Sequence, residues 1–287
     1  MNNNKEEIKG WLNINKELGI SSHTVVSKVR RALSFKKVGH AGTLDPLATG
    51  VMTVAVGRAT RLIQFLTETK KYVAGVKLGV TTTTLDSEGE ITSQNEVNVS
   101  QKQLLEVINT FVGNIEQIPP MYSSVHHNGQ RLYELARKGI EVERKSRKIE
   151  IYYIKLLEFN SPDFKIEISC ESGTYIRTLS DDIGRKLGCG AYMSSLERIE
   201  SNKYFSLENS IKAEDSTKED LLPLDYPLKD LPSITLQDPE KKRYLVGQRI
   251  KLDFESTPVI RVYDEEQNLL GIASLENNLL VPKVNLL

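Results

Sequence analysis

The order of strand and helix patterns constrains the fold of this chain most strongly. Apolar runs and alternation predict strands at 11–15, 51–56, 71–78, 149–157 and 164–170, and helical periodicity predicts helices at 22–33, 58–68, 101–112, 130–138 and 174–187. Strands and helices interleave too irregularly for a strict repeat of strand–helix–strand units. The sequence therefore predicts a mixed α/β (α+β) domain.

The C-terminal part of the chain has a different pattern. Pro223, Pro227 and Pro232 interrupt an acidic stretch, which predicts a linker. The residues beyond it predict short strands at 258–263, 269–274 and 279–281, and hence a small β-rich module. We accordingly predict two domains, at 1–228 and 229–287.

Composition excludes several classes of protein. Of the 287 residues 39% are hydrophobic, which is ordinary for a folded globular protein and argues against wholesale disorder. Cys170 and Cys189 are the only cysteines, so a disulfide framework and a cysteine-rich zinc site are excluded. No apolar run reaches the roughly 18 residues of a membrane helix, and the N-terminus lacks the apolar core of a signal peptide. We expect a cytoplasmic protein without a membrane partner.

The charges balance in number but not along the sequence. There are 38 basic and 38 acidic residues, which argues against strong non-specific binding of polyanions but permits a local basic surface. Residues 28–37 hold five basic and no acidic residues, and residues 131–148 hold seven basic against three acidic. Residues 208–230 reverse this, with seven acidic against three basic. Nucleic-acid contact and ordinary solvated helix faces are both compatible with this pattern.

The loop at 38–50, VGHAGTLDPLATG, is the best candidate for chemistry. Pro46 restricts Asp45 to an extended backbone conformation, and Gly42 and Gly50 permit close approach of the backbone. A carboxylate on such a stiffened loop is a candidate nucleophile or base. The alternative is a turn-forming Asp, which is common beside Pro and Gly.

Two further residues are candidates from their positions. Arg177 falls in the first turn of the predicted helix 174–187, where the macrodipole disfavours a cation. Either a buried carboxylate compensates for this, or Asp181 forms an ordinary i,i+4 pair with it. Tyr72 lies on a predicted strand, where a core position is the usual interpretation. The four histidines lack the spacing of metal ligands, so we predict no metal site.

Long motifs in a fixed order add a family resemblance. The segments are GHAGTLDPLATGVM, KKYVAGVKLG, IPPMYSS, NGQRLYELARKGIEV and ESGTYIRTLSDDIGRKLGCGAYM. Over most of residues 10–200 the chain resembles the TruB-type tRNA pseudouridine synthases. The resemblance implies a pseudouridine-synthase catalytic domain followed by a short PUA-like module.

The resemblance also implies an activity. The family isomerises the uridine at position 55, in the T-loop of tRNA: the base leaves the ribose at N1, turns, and rejoins through C5. This implies no cofactor, tRNA as the partner, no obligate protein partner, and a monomer. Because the target base lies in a folded loop, it must be flipped out before reaction.

The matching motifs carry the family's residue roles onto this chain. Asp45 becomes the nucleophile, Tyr72 stacks on the base and is a candidate proton acceptor, and Arg177 pairs with Asp45. The implied substrate-binding residues are His40, which fills the space left by the flipped base, with Gly42, Thr43, Leu44, Tyr175 and Leu196. The implied contacts to the RNA backbone are Arg30, Arg31, Arg61 and Arg131.

Three positions depart from the family pattern. Glu17 replaces a proline, His126 replaces a lysine, and Glu197 replaces an arginine. Two other functions stay open at this point. One is a non-catalytic tRNA-binding or RNA-folding protein on the same scaffold, and the other is a glycosidase-like hydrolase. The hydrolase needs two carboxylates; the matching loops contain one, and Asp181 and Asp182 are further candidates.

Overall fold

A computed structural model describes residues 8–286. The first part of the chain comprises β1 (Gly10–Lys16), α1 (Ser22–Ala32), β2 (Val38–His40), β3 (Ala48–Val56), β4 (Thr69–Leu78), β5 (Val80–Thr82), β6 (Ile91–Gln94), α2 (Gln101–Asn109), β7 (Gly113–Gln117), β8 (His126–His127), β9 (Gln130–Arg131), α3 (Leu132–Ala136), β10 (Arg147–Asn160), β11 (Asp163–Glu171), α4 (Ile176–Leu187), β12 (Ala191–Ser201) and β13 (Phe205–Ser206). The C-terminal part comprises β14 (Ser233–Leu236), α5 (Asp238–Leu245), β15 (Ile250–Lys251), β16 (Thr257–Asp264), β17 (Leu269–Glu276) and β18 (Leu279–Asn285).

One large sheet organises the first part of the chain. Its strands follow the order β1-β3-β12-β4-β11-β10-β7, with β2 beside β3 and β13 beside β12. The pairs are antiparallel except β12 with β3, which is parallel. Helices α2 and α4 contribute to one core cluster with the centre of this sheet, and α1 forms another with β1 and β3. The predicted mixed α/β class is confirmed.

The local sequence explains helix α1. Ser21 caps it by accepting a hydrogen bond from the Thr24 backbone N–H at 3.1 Å. Val25, Val26 and Val29 are buried, as their spacing predicts. Burial of each valine contributes about 1.5–3 kcal/mol, which fixes this helix against the sheet edge.

The predicted helix at 58–68 is wrong. The chain instead forms two short 3₁₀ helices, Gly57–Arg61 and Ile63–Phe65. The Leu62 N–H donates to the Ala59 carbonyl three residues back, at 2.9 Å. Ala59 and Leu62 are both fully buried, and a spacing of three residues places them on one face of a 3₁₀ turn. The predicted helix at 130–138 is likewise shorter, because β9 occupies its first two residues.

The predicted linker is also wrong. Trp11 and Leu222 exchange backbone hydrogen bonds of 3.0 and 2.9 Å, so the proline-rich segment adds to the sheet beside β1. The Trp11 indole N–H donates to the Leu224 carbonyl at 2.8 Å, and Leu228 is buried in the same cluster. The apolar residues between the prolines drive this packing. The domain boundary at 228/229 stays a prediction.

The C-terminal part forms a second, five-stranded sheet in the order β14-β16-β17-β18-β15. The three predicted strands correspond to β16, β17 and β18, which confirms a β-rich module. Ile272, Val284 and Leu286 of this module pack in one cluster with Trp11 and Val51. Within residues 8–286, no helix has the length and apolar character of a membrane span.

Candidate active site

A cavity of about 480 Å³ opens beside the central strands β4 and β12. Its walls come from six places in the sequence: residues 42–46, the start of β4, the turn at 84–88, the segment 122–137, residues 172–177 at the start of α4, and the second half of β12. A cavity of this volume is in the range of sites for small ligands.

The loop that bears Asp45 is fixed by the β1–α1 turn. Ser22 Oγ accepts from the Leu44 N–H at 2.8 Å and donates to the Leu44 carbonyl at 3.0 Å. The buried Lys16 ammonium donates to the Pro46 and Ala48 carbonyls at 3.2 and 2.5 Å. The irregular loop is shorter than the predicted 38–50, because residues 38–40 form β2 and residues 48–50 begin β3. These contacts leave the Asp45 backbone little freedom.

Gly50 explains how β12 approaches the loop. It has φ +97°, and a Cβ at this position would collide with the Arg198 backbone. The close parallel pairing of Gly50 with Arg198 lets the Arg198 side chain pass under the loop. Its Nε donates to the Val51 carbonyl at 2.6 Å and its Nη2 to the Gly42 carbonyl at 3.2 Å.

Asp45 and Arg177 form an ion pair inside the cavity. Arg177 Nε lies 2.9 Å from Asp45 Oδ2, and the arginine side chain is 5% exposed against 36% for the aspartate. Arg177 is therefore held in the wall while Asp45 faces the open space. Asp181 pairs with Arg185 instead, so the i,i+4 interpretation of Arg177 is wrong. The buried carboxylate that the alternative interpretation requires is Asp86, whose side chain is 4% exposed.

Three more groups hold the far side of the Arg177 guanidinium. Nη1 lies 3.4 Å from Asp86 Oδ2 and donates to the Thr84 carbonyl at 3.2 Å. Nη2 donates to the Tyr122 carbonyl at 2.8 Å. Asp86 is thus a second carboxylate on the same cation, and the sequence reasoning missed it.

Opposing effects act on the ionisation of Asp45. Burial raises the pKa of its carboxyl, the Arg177 guanidinium lowers it, and the negative charge of Asp86 raises it again; the net direction is upward. Without Arg177, only the more weakly acting charge of Lys16 would oppose the first and third effects. The pair is therefore needed to keep Asp45 ionised.

Tyr72 and Leu196 line the cavity from adjacent strands. Tyr72 is directly opposite Arg198 across the β4–β12 pair. Burial raises the pKa of the Tyr72 hydroxyl, and the nearby Arg198 opposes this. The hydroxyl is therefore protonated at neutral pH, with an apolar ring available for stacking.

Tyr175 is fixed through its backbone. The Gln117 side chain accepts from the Tyr175 N–H at 2.8 Å and donates to its carbonyl at 3.1 Å. The Arg147 guanidinium lies over the Tyr175 ring, 4.7 Å from its centroid. This places the ring at the start of α4, beside Arg177.

Two buried lysines border the site and were not predicted. Burial lowers the pKa of Lys70 to about 7, and Arg198 contributes in the same direction. Burial lowers the pKa of Lys16 to about 8, although Asp45 opposes this. The Lys70 ammonium donates to Ser201 Oγ at 3.0 Å and to Asn202 Oδ1 at 2.9 Å.

The predicted site residues separate into three groups. Those that line the cavity are Gly42, Thr43, Leu44, Asp45, Tyr72, Tyr175, Arg177 and Leu196. His40 lies outside the lining, at the end of β2. The four predicted RNA-contacting residues, Arg30, Arg31, Arg61 and Arg131, also lie outside it, with Arg31 and Arg61 exposed.

Comparison with known families decides the assignment of the chain. The model of the TruB family pseudouridylate synthase N-terminal domain matches residues 30–176. Models of the tRNA pseudouridylate synthase B C-terminal domain and of the pseudouridine synthase II TruB C-terminal region match residues 177–229 and 232–286. The chain belongs to the TruB family of pseudouridylate synthases. It is therefore an RNA-modifying isomerase, as the sequence resemblance implied.

Relatives cover nearly the whole TruB-family chain. A protein named tRNA pseudouridine synthase B from Syntrophomonas wolfei is 45% identical, over 93% of this chain and 94% of its own length. One of the same name from Dehalococcoides mccartyi is 47% identical, over 94% and 93%. The Nostoc protein of that name is 41% identical, over 96% and 98%.

Solved structures share the TruB-family fold. The chain is similar to one in the crystal structure of a Cbf5-Nop10-Gar1 complex, with a TM-score of 0.74 and 26% identity, over 98% of this chain and 84% of that one. A chain of the H/ACA RNP bound to a substrate RNA containing 2'-deoxyuridine has a TM-score of 0.72 at 24% identity, over 96% and 85%. The C-terminal β-rich module is consistent with a PUA-like domain.

The three residues that depart from the family pattern differ in their burial and contacts. Glu17 forms an ion pair of 3.2 Å with Lys28, so a charge contact stands where the family has the stiffness of proline. His126 is exposed in the β8–β9 hairpin. Glu197 is half-buried on β12, next to Leu196. None of them touches the ion pair of Asp45 with Arg177.

Proposed function

We propose that this protein converts a uridine of tRNA to pseudouridine, at position 55 in the T-loop, with Asp45 as the nucleophile. The observation that carries the proposal is the partly exposed Asp45 carboxylate, 2.9 Å from the buried Arg177, on the wall of an open cavity. The relatives named tRNA pseudouridine synthase B support tRNA as the substrate.

The geometry supports a sequence of events. A flipped uridine enters the cavity, at a cost of a few kcal/mol that stacking on Tyr72 partly offsets. Asp45 attacks the nucleotide, the bond from N1 to the ribose breaks, and the base turns. The bond to Asp45 breaks as C5 bonds to C1′, the C5 proton leaves, and N1 gains a proton, so Asp45 is regenerated. Atoms balance without water or redox change, so the reaction requires no cofactor.

The residues divide the work by chemistry. Arg177 keeps Asp45 ionised and aimed at the cavity. The protonated Tyr72 hydroxyl suits stacking and hydrogen-bond donation better than proton removal, because burial raises its pKa. His40 lies outside the cavity lining, a position suited to the space that the flipped base leaves in the RNA.

Two of the predicted basic residues suit an RNA surface. Arg31 is exposed on α1, and Arg131 is half-buried within the segment 122–137, near the residues that line the cavity. Contacts between such arginines and RNA phosphates contribute affinity that does not depend on the RNA sequence, and the shape of the RNA loop selects the target. We infer that a single copy of the chain suffices for binding.

Tritium release from tRNA labelled at uridine C5 tests the proposal. Wild-type protein should release tritium, and Asp45→Asn should release none while still binding tRNA, because the amide keeps the size of the side chain but is not a nucleophile. A transcript with cytidine at position 55 tests the target and should give no release.

Each outcome has a distinct meaning. Tritium release by Asp45→Asn would contradict the role of Asp45, and release from the position-55 variant would contradict the target. Binding without release by either protein would favour the non-catalytic RNA-binding alternative. Free uracil among the products would indicate the glycosidase-like hydrolase.

A further inference from the structure

Two buried cations that the proposed reaction does not use line the cavity. Lys70 is 3% exposed and Arg198 is 1% exposed. Within residues 8–286 neither forms an ion pair with a carboxylate: Lys70 donates to a hydroxyl and an amide oxygen, and Arg198 donates to two backbone carbonyls. Buried positive charge without a counter-ion is unfavourable, so an anionic group that enters the cavity would be stabilised there.

The register of the strands places both cations around Tyr72. Lys70 lies two residues before Tyr72 on β4, so their side chains share one face of the sheet. Arg198 is directly opposite Tyr72 across the β4–β12 pair, and Ser201 is directly opposite Lys70. A base that stacks on Tyr72 would therefore have an edge close to the two cations.

Gly42 leaves the two cations uncovered on the side of the Asp45 loop. It lines the cavity, and a Cβ added to it would lie 3.6 Å from Arg198 Nη1 and 3.8 Å from Lys70 Cε. Both distances are ordinary van der Waals contacts, so a side chain at this position would cover both groups. Lys70 and Arg198 thus approach the same point of the cavity wall.

The ammonium of Lys70 has a hydrogen-bond donor that the protein does not use. It carries three N–H bonds. Two of them donate to Ser201 Oγ and Asn202 Oδ1, at 3.0 and 2.9 Å, and the third has no acceptor in the described part of the chain. The ammonium is therefore held in place and still able to donate to an oxygen atom of a ligand.

We propose that Lys70 is a catalytic residue, whose ammonium stabilises the negative charge on the uracil ring once its bond to the ribose has broken. The inference rests on the proposed function. When this bond breaks, its electron pair stays on N1, and the charge spreads to O2 and O4 of the ring. C5 then attacks C1′, the electron pair of the bond to Asp45 returns to the carboxylate, and the ring is neutral again before it exchanges the C5 proton for one on N1. Cations fixed in advance beside such charge lower the barrier to its formation.

The depth of Lys70 favours the base over a phosphate, which is the other anionic part of the substrate. Phosphates stay in the RNA backbone and are bound by surface cations, whereas the flipped base is the part of the nucleotide that enters a pocket. A phosphate contact exists in the bound ground state, so its loss weakens binding. Charge on the detached ring exists only during reaction, so loss of its partner lowers the rate.

Lys70→Met tests the proposal, with Lys71→Met as the matched control. Methionine keeps nearly the length of lysine and removes the charge. In the tritium assay at about pH 6, kcat/KM of Lys70→Met should be roughly 100-fold below the wild-type value, with an unchanged Kd for tRNA and an unchanged salt dependence of binding. Lys71 pairs with Glu200 and does not line the cavity, so Lys71→Met should have the wild-type kcat/KM.

The dependence on pH supplies a readout that a merely structural residue would not change. Burial and the nearby Arg198 lower the pKa of Lys70 to about 7, and the neutral amine has no charge with which to stabilise the ring. The ratio of kcat/KM between the wild type and Lys70→Met should therefore fall about tenfold per pH unit above about pH 7. Cys170 and Glu68 are the other titratable groups close to Lys70, and both are the same in the two proteins.

Three results would overturn the proposal. A wild-type kcat/KM for Lys70→Met would show that the charge is not used. A raised Kd for tRNA with a reduced salt slope and a wild-type kcat would assign Lys70 to a phosphate. A slower Lys70→Met whose ratio to the wild type does not change with pH would indicate a structural residue. Absence of turnover by the wild-type protein would instead contradict the proposed function, and this inference with it.

Discussion

Lys70 should make the stability of this protein depend on pH in an uncommon direction. Its side chain is almost fully buried, and burial lowers its pKa from 10.5 to about 7. Between these values the unfolded chain binds a proton that the folded chain lacks, so stability rises with pH through this window. Below about pH 7 the full cost of the buried charge is present.

The magnitude follows from the two pKa values. Lowering a lysine pKa from 10.5 to about 7 corresponds to roughly 5 kcal/mol against the charged form. Linkage distributes this over the titration range, with a gain of about 3 kcal/mol between about pH 6 and about pH 9. Lys70→Met should lack this gain in stability with pH. Its free energy of unfolding should therefore exceed that of the wild type by more at the lower of the two pH values than at the higher one.

Lys70→Met leaves each of the two oxygen atoms that accept from the Lys70 ammonium with another hydrogen-bond donor. Thr53 Oγ1 donates to Ser201 Oγ at 3.0 Å, and the Ser201 hydroxyl donates to Asn202 Oδ1 at 2.7 Å, so both partners of the lost ammonium stay satisfied. Urea unfolding of both proteins at the two pH values gives the difference between their free energies of unfolding. The contribution of Lys16 is the same in both proteins and cancels.

Lys71→Met is the matched control for this experiment. Lys71 is the next residue on β4, and it pairs with Glu200 at 2.8 Å rather than facing the cavity. Its loss should change stability by about 1 kcal/mol or less. Parallel stability curves for the wild type and Lys70→Met would refute the reasoning.

Three further predictions follow from the backbone and the surface. Gly50→Ala should destabilise the protein by roughly 2–4 kcal/mol in urea unfolding, because Gly50 has a positive φ and an added Cβ would collide with the Arg198 backbone. The control Gly19→Ala has a positive φ but open space around it, so it should cost only about 1 kcal/mol. Equal losses of stability in the two variants would contradict the steric argument. His126→Lys should tighten tRNA binding at neutral pH and steepen its salt dependence by about one phosphate contact, and an unchanged slope would exclude such a contact. Arg31→Ala should reduce the slope by about one with an unchanged kcat, and a lower kcat would show that Arg31 acts beyond binding.

Local patterns predicted the elements whose stability is decided locally. The predicted helix at 101–112 forms as α2 and begins with a Ser100–Gln103 capping box, and Tyr72 alternates inward with Ala74 on β4. The same alternation also indicated two buried cations that the sequence analysis did not predict. Lys70 lies two residues before Tyr72, and Arg198 lies two residues after Leu196. Residues two apart on a strand share a face, so these buried cations were predictable.

Long-range partners were not predictable in the same way. The turn TTTTLDSEG is simply a polar turn in the sequence, and nothing local indicates that Asp86 meets Arg177, far along the chain. The proline-rich acidic segment was misjudged because counting charges and prolines ignored its spaced leucines. In both cases the partner is chosen by tertiary packing, which local periodicity does not contain.

The parallel pairing of β3 with β12 has a consequence for synthesis on the ribosome. Arg198 supports the loop of Asp45 through contacts with β3, 147 residues earlier in the sequence. Such distant contacts form only after the intervening chain has been made, and they form slowly. A nascent chain that ends before β12 would lack the Arg198 hydrogen bonds to Gly42 and Val51, on either side of Asp45. Incomplete chains should therefore be inactive toward RNA, and truncation between α4 and β12, at residues 188–190, should abolish turnover even though Asp45, Tyr72 and Arg177 are all present.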